Sequence, residues 1–360
     1  MFRLTKLISR EKPQASNKRF WILISVSVLS ALMLLLYFVN RSRWPFYVFQ
    51  VAISPSGDQL LVFHNTNFFI PTPIPSKHQV SFCDIQSQQV LWTSTIQRPF
   101  VARLMFSSEG TPVVLHESGY YSVFDKDGHA TESRLPIRGI MRDATIIDND
   151  VFAINERGEW CHGDRSGTFE PKSLFDSKTY SSVAPDGKFI AVVNTRSAQQ
   201  LHTQQIKNQN TQMIEFKDDI DFVCALKNQN ILVVLRTGDC FLVTLNDNQA
   251  KPVVMYLISC TNIRSIGTYG RGMMNSTNDG SLFVLYSPYE KPLMNIIEKE
   301  GEDYKLTTLD CSHQLNRSEH SKFSQVVCSE TKDNCVWVSR FRKMGVVRKV
   351  NGTWKCESSF

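Results

Sequence analysis

An all-β chain of about seven repeated four-stranded sheets, preceded by one N-terminal transmembrane helix, is the architecture this sequence predicts, and three patterns predict it. From Tyr47 onward the chain runs in short apolar stretches rich in Val, Ile, Phe and Tyr, broken by Gly, Asp, Asn and Ser. That is the composition of strands and tight turns. A strand–turn–strand unit recurs through that region. Residues 20–39, FWILISVSVLSALMLLLYFV, carry no charge over twenty positions, a length that as a helix matches the ~30 Å of a bilayer core.

Residues 1–19 hold Arg3, Lys6, Arg10, Lys12, Lys18 and Arg19 against the single Glu11 and read as a cytoplasmic basic tail. After residues 20–39 only Arg41 and Arg43 follow, so the heavier basic flank places the N-terminus in the cytoplasm and residues 46–360 on the periplasmic or exoplasmic side. Trp21, Tyr37, Trp44 and Tyr47 suit interfacial anchoring. The apolar run exceeds the core of a cleaved signal peptide, and bulky residues stand where a cleavage site would lie. The expectation is therefore an uncleaved signal-anchor in contact with the bilayer through residues 20–39.

The repeat begins with VAISPSGDQLLVFH. It recurs as ARLMFSSEGTPVVLH, TIIDNDVFAI, YSSVAPDGKFIAVV, DFVCALKNQNILVVL, MMNSTNDGSLFVLY and VVCSETKDNCVWVS. Apolar runs flanking Ser-Gly-Asp or Asp-Gly are a hairpin signal. One turn residue from each copy, Asp58, Gly110, Asn149, Asp186, Asn228, Asp279 and Asp333, gives spacings of 52, 39, 37, 42, 51 and 54 residues, near the repeat length of propeller blades. A further strand and polar turn follow within the unit, as in VSFCDIQSQQVLW and GDCFLVTLNDNQ, so each repeat supplies four antiparallel strands. One such sheet cannot bury both faces alone. Radial packing against its neighbours does so, and closing the ring removes exposed edges. The run from Trp337 either completes the seventh sheet or pairs with the first strands to lock the ring. KPLMNIIEKEGEDYK reads as a strand and a charged loop. A pair of antiparallel sandwiches or an irregular β array is the alternative.

The segments SPSGDQLLVF, FCDIQSQQVLW and APDGKFIAVV resemble β-propeller repeats of the WD40 and quinoprotein-like kinds. The resemblance covers nearly the whole chain beyond Tyr47 and implies a seven-bladed disc serving as a platform for protein or peptide contacts. The chain departs from the WD40 pattern: no blade ends in Trp-Asp, and no Gly-His pair stands where that pattern has one.

Charge separates the two parts of the chain. Residues 1–43 hold eight of the forty Lys and Arg but one of the thirty-four Asp and Glu, leaving the remainder with 32 basic and 33 acidic residues. A nearly neutral domain is a poor nucleic-acid binder, which works by neutralising phosphates. The nine cysteines stand at 83, 161, 224, 240, 260, 311, 328, 335 and 356. The last four crowd together, and disulfides are expected there if anywhere.

No catalytic, cofactor-binding or metal motif stands out. Cys311, His313, His320 and Cys328 offer zinc-type ligands but in no common zinc spacing. Glu215, Asp218, Asp219 and Asp221 form an acidic knot lacking calcium-loop spacing, so solvated charge is the expectation. Gly267–Thr–Tyr–Gly–Arg–Gly272 lies between β runs, with no helix N-terminus to hold an anion. Asn275, Asn316 and Asn351 head glycosylation triplets, as does Asn40 beside the apolar run. Phe68, Phe69, Tyr269 and Tyr289 are candidate binding aromatics in loops. The functional expectation is a non-enzymatic, membrane-anchored protein-binding scaffold that contacts a membrane or envelope protein and uses no cofactor. The alternative is a propeller-type envelope hydrolase acting on glycans or peptides, which would gather carboxylates, or a His–carboxylate pair, at the ring axis.

Overall fold

The structure, a computed structural model, describes residues 25–32, 47–65, 78–98, 100–148, 150–164, 169–173, 179–246, 251–260, 274–286, 293–312, 323–331, 333–339 and 344–357. The chain divides into two units, Met1–Trp44 and Pro45–Phe360.

In the first unit, residues 25–32 form an exposed helix. Among the described residues no helix is long and apolar enough to cross a membrane. This overturns the expected transmembrane helix over residues 20–39, and with it the single-pass topology, the bilayer contact and the periplasmic or exoplasmic placement. The rest of that stretch, the basic tail and residues 40–46 lie outside the described residues.

The second unit is seven four-stranded antiparallel sheets. Blade 1 comprises β1 (Tyr47–Ile53), β2 (Gln59–Asn65), β3 (His78–Asp84) and β4 (Gln89–Thr95). Blade 2 comprises β5 (Val101–Phe106), β6 (Pro112–His116), β7 (Tyr120–Phe124) and β8 (Ala130–Arg134). Blade 3 has β9 (Met141–Ile147), β10 (Asp150–Asn155), β11 (Glu159–Asp164) and β12 (Phe169–Ser173). Blade 4 has β13 (Thr179–Val183), β14 (Phe189–Asn194), β15 (Gln200–Gln205) and β16 (Thr211–Glu215). Blade 5 has β17 (Ile220–Ala225), β18 (Asn230–Leu235), β19 (Asp239–Thr244) and β20 (Val253–Ser259). Blade 6 has β21 (Met274–Ser276), β22 (Leu282–Tyr286), β23 (Leu293–Glu300) and β24 (Asp303–Asp310). Blade 7 has β25 (Phe323–Cys328), β26 (Asn334–Ser339), β27 (Met344–Val350) and β28 (Thr353–Cys356).

Each blade is a meander in which consecutive strands pair. The seven turn residues that set the spacing all fall between the first and second strand of their blade, Asn149 itself lying outside the described residues. The charged stretch after Leu293 is strand rather than loop: β23 and β24 pair along their whole length around Gly301.

Burial explains the sequence pattern. The second strand of a blade is covered on both faces, so β6, β14, β18, β22 and β26 are buried almost end to end and read as unbroken apolar runs. The fourth strand lies at the rim and is mostly exposed, as in β4, β8 and β20. The core is divided accordingly. Phe189, Ala191 and Val193 of blade 4 pack with Ile220, Ile231 and Val233 of blade 5. Tyr286 and Ile296 of blade 6 pack with Trp337 and Val347 of blade 7.

The ring closes where β25 and β26 pack against β1. The final run completes the seventh sheet and exchanges no strand with the first. A side chain makes the fastening instead: Gln325 Nε2 donates to the Val51 carbonyl at 3.0 Å, while the Val51 N–H donates to Gln325 Oε1 at 2.8 Å. One amide thus reproduces both hydrogen bonds of a strand pair.

Two buried histidines thread the first blades. His64 Nε2 lies 2.8 Å from Ser81 Oγ, which lies 2.7 Å from Thr93 Oγ1, and His116 Nε2 lies 2.9 Å from Ser122 Oγ. Desolvation holds both imidazoles neutral and lowers His64 to about 4. Above about pH 6.5, the ordinary histidine value, the folded and unfolded chains are both neutral at these positions. Below it the unfolded chain takes the proton first, so stability falls as pH drops from 6.5 towards 4. The contribution of His64 is on the order of 3 kcal/mol. Denaturant melts across that range should show the loss, and His64→Gln should remove the share that His64 contributes, leaving that of His116.

Candidate functional site

The first strands of the blades face the ring axis and carry a polar belt. Asp143 of β9 is its hub. Its carboxylate pairs with Arg103 of blade 2 and accepts from the Val183 N–H at 2.9 Å and the Ser182 hydroxyl at 3.1 Å, both of blade 4. Ser182 Oγ in turn accepts from the Ala225 N–H of blade 5 at 3.1 Å. Gln50 Nε2 donates to the Val101 carbonyl at 3.0 Å, Cys224 Sγ lies 3.3 Å from Ser276 Oγ, and Asn275 Oδ1 accepts from the Cys328 N–H at 2.8 Å. These bonds run between consecutive blades, so the belt stitches the ring.

The innermost strands carry two carboxylates and no histidine among the described residues. Asp143 is engaged by Arg103, whereas Asp221 lies 3.8 Å from Arg236. Each answers to a different arginine, which is the arrangement of structural ion pairs rather than of an acid–base couple sharing one substrate atom.

The other sequence candidates do not converge. Asp219 joins Asp221 on Arg236, at 3.0 Å, so a cation at the end of the paired strand β18 faces two of the knot's four carboxylates. Cys311 and Cys328 face different partners, Cys356 and Cys335. The four residues Cys311, His313, His320 and Cys328 are therefore not gathered through their cysteines, and both histidines lie outside the described residues. So do Phe68, Phe69, Tyr269, Tyr289, residues 267–272, Asn40 and Asn316. Asn275 sits on β21 with its side chain bonded to blade 7, and Asn351 occupies the exposed β27–β28 turn. Asp125, Asp127 and His129 come within 4.8 Å of one another on an exposed turn. There the Asp125 carboxylate accepts the turn's own N–H groups from Asp127 and His129.

A cleft of about 690 Å³ opens between blades 3 and 4, on the face that carries the turns between first and second strands. Phe152 and Trp160 form its floor with Ile206. The His162 ring stacks on Phe152 with centroids 4.4 Å apart and planes 10° off parallel. Strand periodicity puts Asp150 with Phe152, and Trp160 with His162, on shared faces. Trp160 is fixed by donating from Nε1 to Gln204 Oε1 at 3.0 Å, and Lys172 Nζ sits 5.4 Å from the indole centroid, within cation–π range. Gly187 shapes the opposite wall: a Cβ there would meet the Phe152 ring at 2.7 Å, and its φ of +65° favours glycine. Gln205, Lys207 and Gln209 line the rim with Lys188, whose ammonium lies 3.7 Å from Asp186.

The cleft thus sets three lysines, Lys172, Lys188 and Lys207, against one lining carboxylate, Asp150, over an aromatic floor. Sequence reading missed it because its residues come from two repeats. The available signal was the alternation Trp160, His162 in GEWCHGD, which places two amphipathic rings on one strand face. A second exposed apolar feature lies at the rim of blade 5, where Val253, Val254, Met255 and Tyr256 on the edge strand β20 are between 42% and 57% exposed.

No protein-family model matches the chain, and no curated protein does. Solved structures match in number: 1485 chains do so, too many for the shape to single out one activity. Among them is the β-propeller domain of Cps50 (Swd1) from Myceliophteria thermophila, at TM-score 0.62 and 10% identity, covering 84% of this chain and 96% of that one. Identity at that level speaks to fold alone. The resemblance to WD40-type propellers drawn from the repeats holds at that level: this chain carries a seven-bladed β-propeller similar to that of Swd1.

Proposed function

We propose that this protein is a non-enzymatic binding propeller whose cleft between blades 3 and 4 takes a short acidic segment of a partner protein. The observation that carries the reading is the cleft itself. A stacked aromatic floor gives apolar contact area at low entropic cost, and the lysines at its walls and rim favour carboxylates and steer their approach. An aliphatic or aromatic side chain of the segment would lie against the partly exposed His162 ring, behind which Phe152 and Trp160 are buried, flanked by Asp or Glu reaching Lys172, Lys188 and Lys207. The separate engagement of Asp143 and Asp221 by arginines supports binding over glycoside hydrolysis, which in most families needs two carboxylates working together. The membrane anchoring first expected forms no part of this reading.

Panning short random peptides against the full chain is expected to enrich sequences rich in Asp and Glu around an apolar residue. The enriched peptides should bind K172E/K207E at least about tenfold more weakly, a change of about 1.4 kcal/mol, with an unchanged circular dichroism spectrum. Affinity should also fall with added salt. Enrichment of neutral or basic sequences, or equal binding by the charge-reversed variant, would contradict the assignment.

A further inference from the structure

Six of the nine cysteines stand as three thiol pairs, all in blades 5 to 7. The clearest is Cys328 with Cys335, antiparallel partners on β25 and β26 whose sulfurs are 2.8 Å apart, well inside the ordinary contact of two sulfur atoms. The Cys328 N–H turns away to Asn275 of blade 6, while the Ser329 N–H bonds the Asn334 carbonyl. The two cysteines therefore form a non-hydrogen-bonded pair, whose Cα atoms in antiparallel sheet lie about 4.5 Å apart. That is within the span a disulfide tolerates, roughly 4.4–6.8 Å.

Cys311 follows β24 at the rim of blade 6, and Cys356 ends β28 at the rim of blade 7. Cys311 is buried in the core that holds Trp337 and Trp354, and Cys356 packs against the same core, where β24 and β28 meet. Cys240 on β19 and Cys260 just after β20 are likewise buried in one core cluster, with the Cys260 N–H donating to the Gly238 carbonyl at 2.9 Å. Cys83, Cys161 and Cys224 have no cysteine beside them. Burial pushes Cys83 and Cys161 up to about 12, and Cys224 faces Ser276.

We infer that Cys240–Cys260, Cys311–Cys356 and Cys328–Cys335 are sites of disulfide formation, and that the three bonds fasten the second half of the ring. Cys311–Cys356 ties blade 6 to blade 7 across the whole of the last repeat, at the rim, whereas Gln325 and Val51 close the ring at the innermost strands. Each bond forms by thiol–disulfide exchange with an external disulfide. One cysteine thiolate attacks the oxidant's sulfur and expels a thiolate. The second cysteine, after losing its proton, then attacks the mixed disulfide and releases the other. The two protein thiols give up two protons and two electrons, and the oxidant becomes two thiols. Cys356 is the more exposed member of its pair and offers the entry point for the inter-blade bond.

The full chain should be refolded in a mixture of oxidised and reduced glutathione, then denatured, alkylated and weighed. The expected product carries alkyl groups on three cysteines only, and digestion yields the peptide pairs 240–260, 311–356 and 328–335. Adding a reductant to the folded protein should lower its Tm by about 5–10 °C. C311S/C356S should lose one crosslinked peptide and part of that Tm difference, leaving the other two crosslinks in place, which separates loss of a bond from failure to fold. Alkylation of all nine thiols after this treatment, or crosslinks joining other cysteines such as 311 to 328, would overturn the inference.

Discussion

Replacing Asp143 with alanine should cost about 3–5 kcal/mol, the range for removing one partner of a buried charge network. The side chain is only 6% exposed, and it serves three blades at once. Its loss strands the Arg103 guanidinium, the Val183 N–H and the Ser182 hydroxyl, and each stranded group carries its own desolvation cost. Arg103 is the least affected because its side chain is 46% exposed to the solvent of the channel. Most of the penalty therefore falls on the blade 3 to blade 4 junction. Asp143→Asn keeps the shape and one accepting oxygen and should fall between wild type and alanine. Urea melts read the effect as a lowered midpoint. A cost below about 1 kcal/mol for the alanine variant would mean that the belt merely lines the channel and does not hold the ring.

Trp337→Ala is expected to cost about 3–5 kcal/mol by leaving a cavity between blades 6 and 7. Trp337 is fully buried, and its cross-strand partner on β27 is Gly345. The indole lies where the side chain of residue 345 would be: a Cβ there would overlap Trp337 Cζ2 and Cε2. The pair is one packing unit, with the absent side chain making room for the large one. Gly345→Ala alone should destabilise by about 1–3 kcal/mol through overpacking. The double variant should be less damaging than the sum of the two, since alanine at 345 fills part of the space that the indole vacates. Strict additivity in such a cycle would deny the coupling.

The fold was legible because its signals are local. SPSGD at 54–58 and APDGK at 184–188 are turn sequences that need no partner to be read, and the doubly covered second strands are apolar without interruption, as in FIAVV and LFVLY. The apolar run at 20–39 misled because hydropathy reports what a stretch would bury if it were one spanning helix, and among the described residues no helix is long and apolar enough to cross a membrane. The site was illegible because it is a product of closure. Phe152 and Lys188 approach one another only when blade 4 packs on blade 3, and a one-dimensional repeat contains no record of which faces splay apart. The same holds for the cysteines: Cys311 and Cys356 stand at corresponding rims of successive blades, while Cys328, nearer to Cys311 in sequence, lies on the innermost strand of blade 7.

Amide hydrogen exchange of the full chain, with and without a peptide selected by panning, tests the binding site most directly. If the cleft is the docking site, protection should be concentrated in residues 150–162, 186–189 and 205–209, and it should vanish in K172E/K207E. Protection centred on the innermost strands around Asp143, or on the β20 rim of blade 5, would contradict the account and move the interface elsewhere on the propeller.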